Sequence, residues 1–109
     1  MTDDTNHQRL NQLLKLRDAD PADADLPYMI ALEYVKAGDA EQALRWLDTT
    51  IAQDAHYHYA YFQKAKLLDD EGEGADALVT LDAGIALATE AGNAKALGEL
   101  QELRQLIAG

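Results

Sequence analysis

Gly38–Asp48 reads G-D-A-E-Q-A-L-R-W-L-D, and 34 positions later Gly72–Asp82 reads G-E-G-A-D-A-L-V-T-L-D. The identical aligned residues are Gly38 and Gly72, Ala43 and Ala77, Leu44 and Leu78, Leu47 and Leu81, and Asp48 and Asp82. The match continues outside this window, with Ala31 and Ala65 upstream and Ile51 and Ile85 downstream. A fixed period of this length is typical of stacked helical repeats. The pattern predicts an all-α fold and, as the class of function, binding of a protein or peptide.

The charge of the chain limits its partners. The 109 residues carry a formal net charge of -11, from 20 acidic and 9 basic residues. This excess argues against nucleic acid and against an anionic membrane surface, because both attract clustered Lys and Arg. It permits a basic peptide partner. The alternative is that the acidic residues only keep the protein soluble and monomeric.

Several classes of chemistry are excluded by residue types that the chain lacks. It contains no Cys and no Ser, so disulfides, zinc thiolate sites and Ser or Cys nucleophiles are excluded. The N-terminus is acidic and polar, unlike a secretory signal, and no apolar run reaches the length of a membrane span. We therefore expect a cytoplasmic protein.

No pattern predicts a metal, a cofactor or a catalytic residue. His56 and His58 are two positions apart and would point in different directions on a helix, whereas a metal pair usually has a four-residue spacing. The acidic stretch 18–25 lacks the glycine and the distant glutamate of an EF-hand loop. No phosphate-binding glycine pattern is present. A small hydrolase or metal-dependent enzyme is the remaining alternative from the enzyme class.

Apolar residues at helical spacing predict six helices and no strands. The predicted ranges are about 5–18, 25–37, 39–53, 57–71, 75–90 and 93–108. The candidate N-cap residues are Thr5 (with Gln8), Asp25, Asp39 (with Gln42) and Asn93. The predicted glycines of the turns are Gly38, Gly72 with Gly74, and Gly92.

The shortest predicted turn joins the second and third helices. Gly38 can adopt the left-handed conformation that ends a helix, and Asp39 can cap the next helix at once. So short a turn predicts an antiparallel hairpin. We expect Ala31 to face Ala43 in this hairpin, and the corresponding alanines of the fourth and fifth helices to face each other.

The period, the small residue in the first helix, the Gly-Asp pair and the following Ala-Leu resemble the tetratricopeptide repeat (TPR) family. The resemblance looks closest to short bacterial single-domain TPR proteins. It implies antiparallel hairpins stacked as a right-handed solenoid in one domain, 1–109. Within that domain it implies a half-repeat helix at 5–18, repeats at 24–57 and 58–91, and a capping helix at 93–108. Pro27 and Tyr61 stand where the family has a tryptophan, and Thr50 and Gly84 where it has an alanine.

The resemblance also implies a concave binding face formed by the first helix of each repeat. By helical spacing, its residues are Tyr28, Leu32, Val35, Lys36, Tyr59, Phe62 and Lys66. Exposed apolar and aromatic residues are typical of interaction sites. We expect a basic or amphipathic peptide or helical segment to lie across Tyr28, Leu32, Tyr59 and Phe62.

Two alternatives remain for this face. Its residues could belong to the core, covered by the first or the sixth helix. They could also form the interface of a homodimer, which would make the chain a self-associating structural protein. The family's carboxylate clamp, which holds a peptide C-terminus, is largely absent, because its positions are occupied mostly by Tyr28, Leu32, Tyr59 and Gln63. A chaperone C-terminal tail is therefore not the expected ligand.

Overall fold

The fold is built from six α-helices, in a computed structural model that describes residues 2–109, with side chains described from residue 8 onward. The helices are α1 (Thr2–Ala19), α2 (Asp25–Lys36), α3 (Ala40–Gln53), α4 (His58–Asp70), α5 (Gly74–Ala91) and α6 (Ala94–Ala108). Residues 2–109 contain no β-strand, and none of their helices has the length and hydropathy needed to span a membrane. The prediction of six helices in an all-α fold is confirmed.

The helices form two compact units, Met1–Gln53 and Asp54–Gly109. In the first unit, α2 packs against both α1 and α3. In the second unit, α5 packs against α4 and α6, and α4 also contacts α6. The single domain over 1–109 and the repeat boundaries at 24–57 and 58–91 stay predictions.

A left-handed glycine closes the α2–α3 hairpin. Gly38 has a φ of +76°. Its N–H donates to the carbonyl of Val35 at 3.1 Å, and the N–H of Asp39 donates to that of Tyr34 at 3.0 Å. This pair of bonds is the Schellman motif, which satisfies carbonyls at a helix end. The Asp39 carboxylate then accepts the N–H of Gln42 at 3.1 Å, so the predicted cap of α3 is confirmed. The predicted return bond from the Gln42 side chain is not formed, because the Asp39 N–H donates to Tyr34 instead.

The second unit uses the same turn twice. Gly72 and Gly92 follow the ends of α4 and α5 with φ values of +82° and +68°. At each of them, the N–H of the glycine and the N–H of the next residue form the two hydrogen bonds of a Schellman motif. Asn93 caps α6 as predicted, because its side-chain oxygen accepts the Ala96 N–H at 3.1 Å. The prediction that Gly74 shares the turn with Gly72 is wrong. The chain is already helical at Gly74, which is the first residue of α5.

Two predicted helix starts are also wrong. Asp25 is the first helical residue of α2 and not its cap, because Ala24 holds the N-cap position and forms no side-chain cap hydrogen bond. The Asp23 carboxylate accepts the Asp25 N–H at 2.9 Å. The first helix begins at Thr2, which places the backbone of Thr5 inside the helix. The predicted bond between the Thr5 side chain and the backbone near Gln8 lies outside the described side chains.

Apolar packing and paired charges hold the first unit together. Its buried cluster comprises Leu13, Leu26 and Ile30, with Leu10, Leu14, Met29, Tyr34 and Trp46 packed against it. Glu33 is only 5% exposed, and its Oε1 accepts a hydrogen bond from Arg9 Nε at 2.6 Å. The Arg17 guanidinium lies 5.0 Å from the centre of the Trp46 ring, within the range of a cation–π interaction. These contacts join α1 to both helices of the hairpin.

The second unit depends on close approach between its helices. Ala65 and Ala77 are fully buried, as are Ala31 and Ala43 in the first unit. The tightest point is Gly84 on α5, where an added Cβ would lie 2.9 Å from the Tyr61 Cβ and 3.3 Å from the Leu100 Cδ1. Such distances leave no room for a methyl group, so the absence of a side chain at Gly84 lets α4 and α6 pack against α5.

We expect Gly38→Ala to lower the free energy of unfolding by about 1 to 2 kcal/mol, because an L-residue is strained in the left-handed region. No atom would contact the new methyl group, so backbone strain alone is tested. Gly38→Asn should cost less, since Asn tolerates this conformation. Urea unfolding at neutral pH measures both, and equal stability of Gly38→Ala and the wild type would contradict the role given to this turn.

We expect Gly84→Ala to lower the free energy of unfolding by about 1 to 3 kcal/mol, because the new methyl group overpacks the contact with Tyr61. Gly98→Ala in α6 is the matched control, since a Cβ there meets no atom within 4 Å. The control should gain about 0.5 to 1 kcal/mol from better helix propensity. A gain in stability for Gly84→Ala similar to that of the control would show that position 84 has room for a methyl group.

Candidate functional site

Aromatic residues of α4 are divided between the core and the surface. Tyr61 is 6% exposed, and its hydroxyl donates to the carbonyl of Ala55 at 2.9 Å. Tyr59 is 52% exposed, and Phe62 is half-buried. Tyr59, Phe62 and the exposed Lys66 are separated by three and four positions and so lie on one helix face. The second unit therefore presents three of the predicted site residues together.

An open groove of about 250 Å³ lies between α4 and α6. Phe62 forms its α4 wall. Its α6 wall is formed by Glu99, Glu102, Leu103 and Leu106. Spacings of three, one and three positions place these four residues on one helix face, and Leu106 is 75% exposed. The groove thus has an apolar lining and carboxylates on one side.

A smaller hollow continues the groove towards the start of α4. His58, Tyr59 and Phe62 line it from α4, and Ala96, Glu99 and Leu100 from α6. His58 Nδ1 lies 3.2 Å from the side-chain nitrogen of Asn93, the cap of α6. This contact links the first residue of α4 to the start of α6 and fixes one end of the groove. The described side chains contain no group of three acidic or His residues suited to a metal ion.

The first unit holds the other four predicted site residues. Tyr28 and Leu32 are half-buried on α2, and Val35 and Lys36 are exposed. Lys36 Nζ lies 3.4 Å from Oε1 of the buried Glu33. Lys36 therefore already has an acidic neighbour on its own helix. It stays a prediction that one ligand contacts Tyr28, Leu32, Tyr59 and Phe62 together.

The α6 wall of the groove is absent from the predicted site. Leu97, Leu100, Leu103 and Ile107 form an apolar stripe at helical spacing on α6, in which Leu100 is buried and Leu103 lines the groove. The sequence feature that could have indicated this wall is Leu106. It lies off the stripe, and Glu102 and Glu99 precede it by four and seven positions on the same face.

Solved structures similar to this chain decide its family. A TPR domain protein from Salinibacter ruber, known from a crystal structure, is 31% identical with a TM-score of 0.73, over 80% of this chain and 97% of that one. The chain belongs to the tetratricopeptide repeat family. The predicted TPR resemblance is therefore confirmed.

Two more distant TPR-like structures share the fold over nearly the whole chain. The TPR2B domain of yeast Sti1, in a complex with pHsp70, has a TM-score of 0.85 at 23% identity, over 98% of this chain and 86% of that one. PcrH, in a complex with the chaperone binding region of PopD, has a TM-score of 0.82 at 16% identity, over 98% and 81%. No protein-family model matches the chain, and no curated protein is similar to it in sequence.

Tyr61 gives the second unit a titratable core residue. Burial raises the pKa of Tyr61 above its ordinary value of 10.0, and the negative charge of Asp54 raises it further. Below pH 10 the hydroxyl is protonated in both the folded and the unfolded chain. Above pH 10 the unfolded chain loses this proton first, so stability falls as the pH rises through the folded-state pKa.

We expect the free energy of unfolding to fall as the pH rises above about 10, and Tyr61→Phe to reduce this fall, since it removes the ionising group. At pH 7, Tyr61→Phe should cost about 1 kcal/mol for the lost hydrogen bond to Ala55. Tyr59→Phe is the control, because Tyr59 is half exposed, and it should keep the wild-type pH dependence. Urea unfolding across this range tests the assignment, and an unchanged profile for Tyr61→Phe would refute it.

Proposed function

We propose that this TPR protein is a non-enzymatic interaction module that binds a peptide or helical segment of a partner protein. The observation that carries the proposal is the exposed aromatic face of α4, where Tyr59 and Phe62 border an open groove. The proposed contact residues are Tyr59, Phe62 and Lys66 in the second unit and Tyr28, Leu32, Val35 and Lys36 in the first.

Side-chain physics supports this use of the face. Tyr and Phe bury a large apolar area with few rotatable bonds, and aromatic residues often contribute most of the binding energy of an interface. Tyr59 is half exposed, whereas Tyr61, two positions further along α4, is buried, so the core does not need Tyr59. The similar structures of the Sti1 domain and of PcrH, each in a complex with a ligand, support a ligand role for the same fold.

A homodimer is the second candidate, and the exposure of Leu106 beside Phe62 favours it. Leu106 is 75% exposed, and contiguous apolar surface is typical of interfaces. The charge opposes it, because two copies of a chain with net charge -11 would repel each other. Peptide binding is therefore the preferred function.

We expect Phe62→Asp to abolish capture of the partner from extracts of the native cell by the immobilised full chain. A charge in the groove would have to be desolvated when the partner binds. Val79→Asp introduces the same charge on α5 at a position that is 68% exposed and does not line the groove. It should retain the captured protein, identified by mass spectrometry after crosslinking.

Circular dichroism and light scattering complete this test. If Phe62→Asp unfolds the chain, Tyr59→Asp takes its place, because Tyr59 is half exposed. Retention of the partner by a folded Phe62→Asp or Tyr59→Asp variant would reject this face as the binding site. A wild-type dimer that becomes monomeric on Phe62→Asp would establish self-association instead.

A further inference from the structure

The α6 wall of the α4–α6 groove carries two acidic residues, and the α4 residue that lines the groove, Phe62, is apolar. On the α6 wall, Glu99 is half-buried and Glu102 is exposed, one helical turn apart. Among the described side chains, neither carboxylate forms an ion pair. On the α4 side, the exposed Lys66 lies one turn beyond Phe62 on the same face. The acidic side of the groove is therefore unpaired and can discriminate between ligands by charge.

The size of the groove favours a side chain of a protein partner over a small molecule. At about 250 Å³, it is smaller than the roughly 300 to 1,000 Å³ of typical small-molecule sites. Phe62, Leu103 and Leu106 supply apolar contacts for one bulky residue. The polar part of the occupant must then lie along the rim, where Glu99 and Glu102 are accessible.

We propose that the groove binds an amphipathic helix of a partner protein, which places one apolar residue against Phe62 and two Lys or Arg residues, one turn apart, against Glu99 and Glu102. This inference rests on the proposed function and adds the chemistry of the partner. A helix is the matching element because its residues recur at the spacing of Glu99 and Glu102 on α6. Docking of an amphipathic helix in an apolar groove between helices is a common recognition mode.

Charge complementarity selects this occupant over two others. A second copy of the chain would bring its own acidic excess to an acidic rim. An anionic peptide tail would place its carboxylates beside Glu99 and Glu102 with a like-charge cost. A cationic helix instead pairs both acids, and Lys66 does not line the groove that it would occupy.

The test selects binders without assuming their charge. A phage-displayed library of random 16-residue peptides is selected on the immobilised full chain, and the enriched peptides are synthesised for fluorescence anisotropy. We expect enrichment of sequences with a bulky apolar residue and Lys or Arg at i, i+3 or i, i+4 spacing. Binding to the Glu99→Gln, Glu102→Gln double variant should be about tenfold weaker, since two rim ion pairs are lost.

The matched control is Glu71→Gln with Glu90→Gln, which removes the same charge at exposed positions outside the groove. It should change the affinity by less than about twofold, because distant exposed charges are screened by salt. Equal loss in both double variants would overturn the inference, as would enrichment of neutral or acidic peptides. The proposed function would survive either result if the peptides still need Phe62. No enriched peptide, or peptides insensitive to Phe62→Asp, would reject both proposals.

Discussion

The left-handed turn at Gly38 is the constraint on which the α2–α3 hairpin depends. The N–H groups of Gly38 and Asp39 return to the last turn of α2, and Asp39 at once caps α3. No residue remains for a longer loop, so the helices must run antiparallel and meet along their lengths. Ala31 and Ala43 can then be fully buried, because small side chains let two helix axes approach closely. Gly38 thus sets the direction of α3, and the two alanines set its distance from α2.

The same arrangement in the second unit gives α4 two separate tasks. Tyr61 and Ala65 pack inward, whereas Tyr59 and Phe62 face outward. A helix can do both because residues three or four positions apart share a face and residues two apart do not. The short turn after Gly72 returns α5 against the inner face, and α6 then packs on α5 and contacts α4 beside Phe62. The groove thus results from three helices held by two tight turns.

The repeat, the helices and the glycine turns could be predicted because they depend on local chemistry with a clear period. The start of α2 was predicted less accurately. Asp25 has the chemistry of a cap, but it is the first helical residue, and the preceding Ala24 holds the N-cap position without a side-chain hydrogen bond. Pairings between distant residues, such as Arg9 with Glu33 and Arg104 with Asp82 at 2.7 Å, depend on how helices pack. The α6 wall of the groove also depends on how helices pack, so it could not be predicted from the sequence. In the sequence, Leu106 cannot be distinguished from other apolar residues, because its place in the groove depends on the packing of α4 beside α6.

Core packing and groove geometry are coupled through Gly84. Tyr61 of α4 and Leu100 of α6 both approach Gly84 on α5, and Leu100 also borders the hollow beside Tyr59. The contacts that hold α4 and α6 at their present separation are thus made by the inner faces of the helices whose outer faces carry Phe62 and Leu106. A larger residue at position 84 would push α4 or α6 away from α5 and change the width of the groove, because a close-packed core transmits strain. Glu99 and Glu102 are free of this coupling, since neither enters the core. The charge along the rim of the groove can therefore vary with little cost in stability, whereas a change in the apolar width of the groove also requires a change in the core.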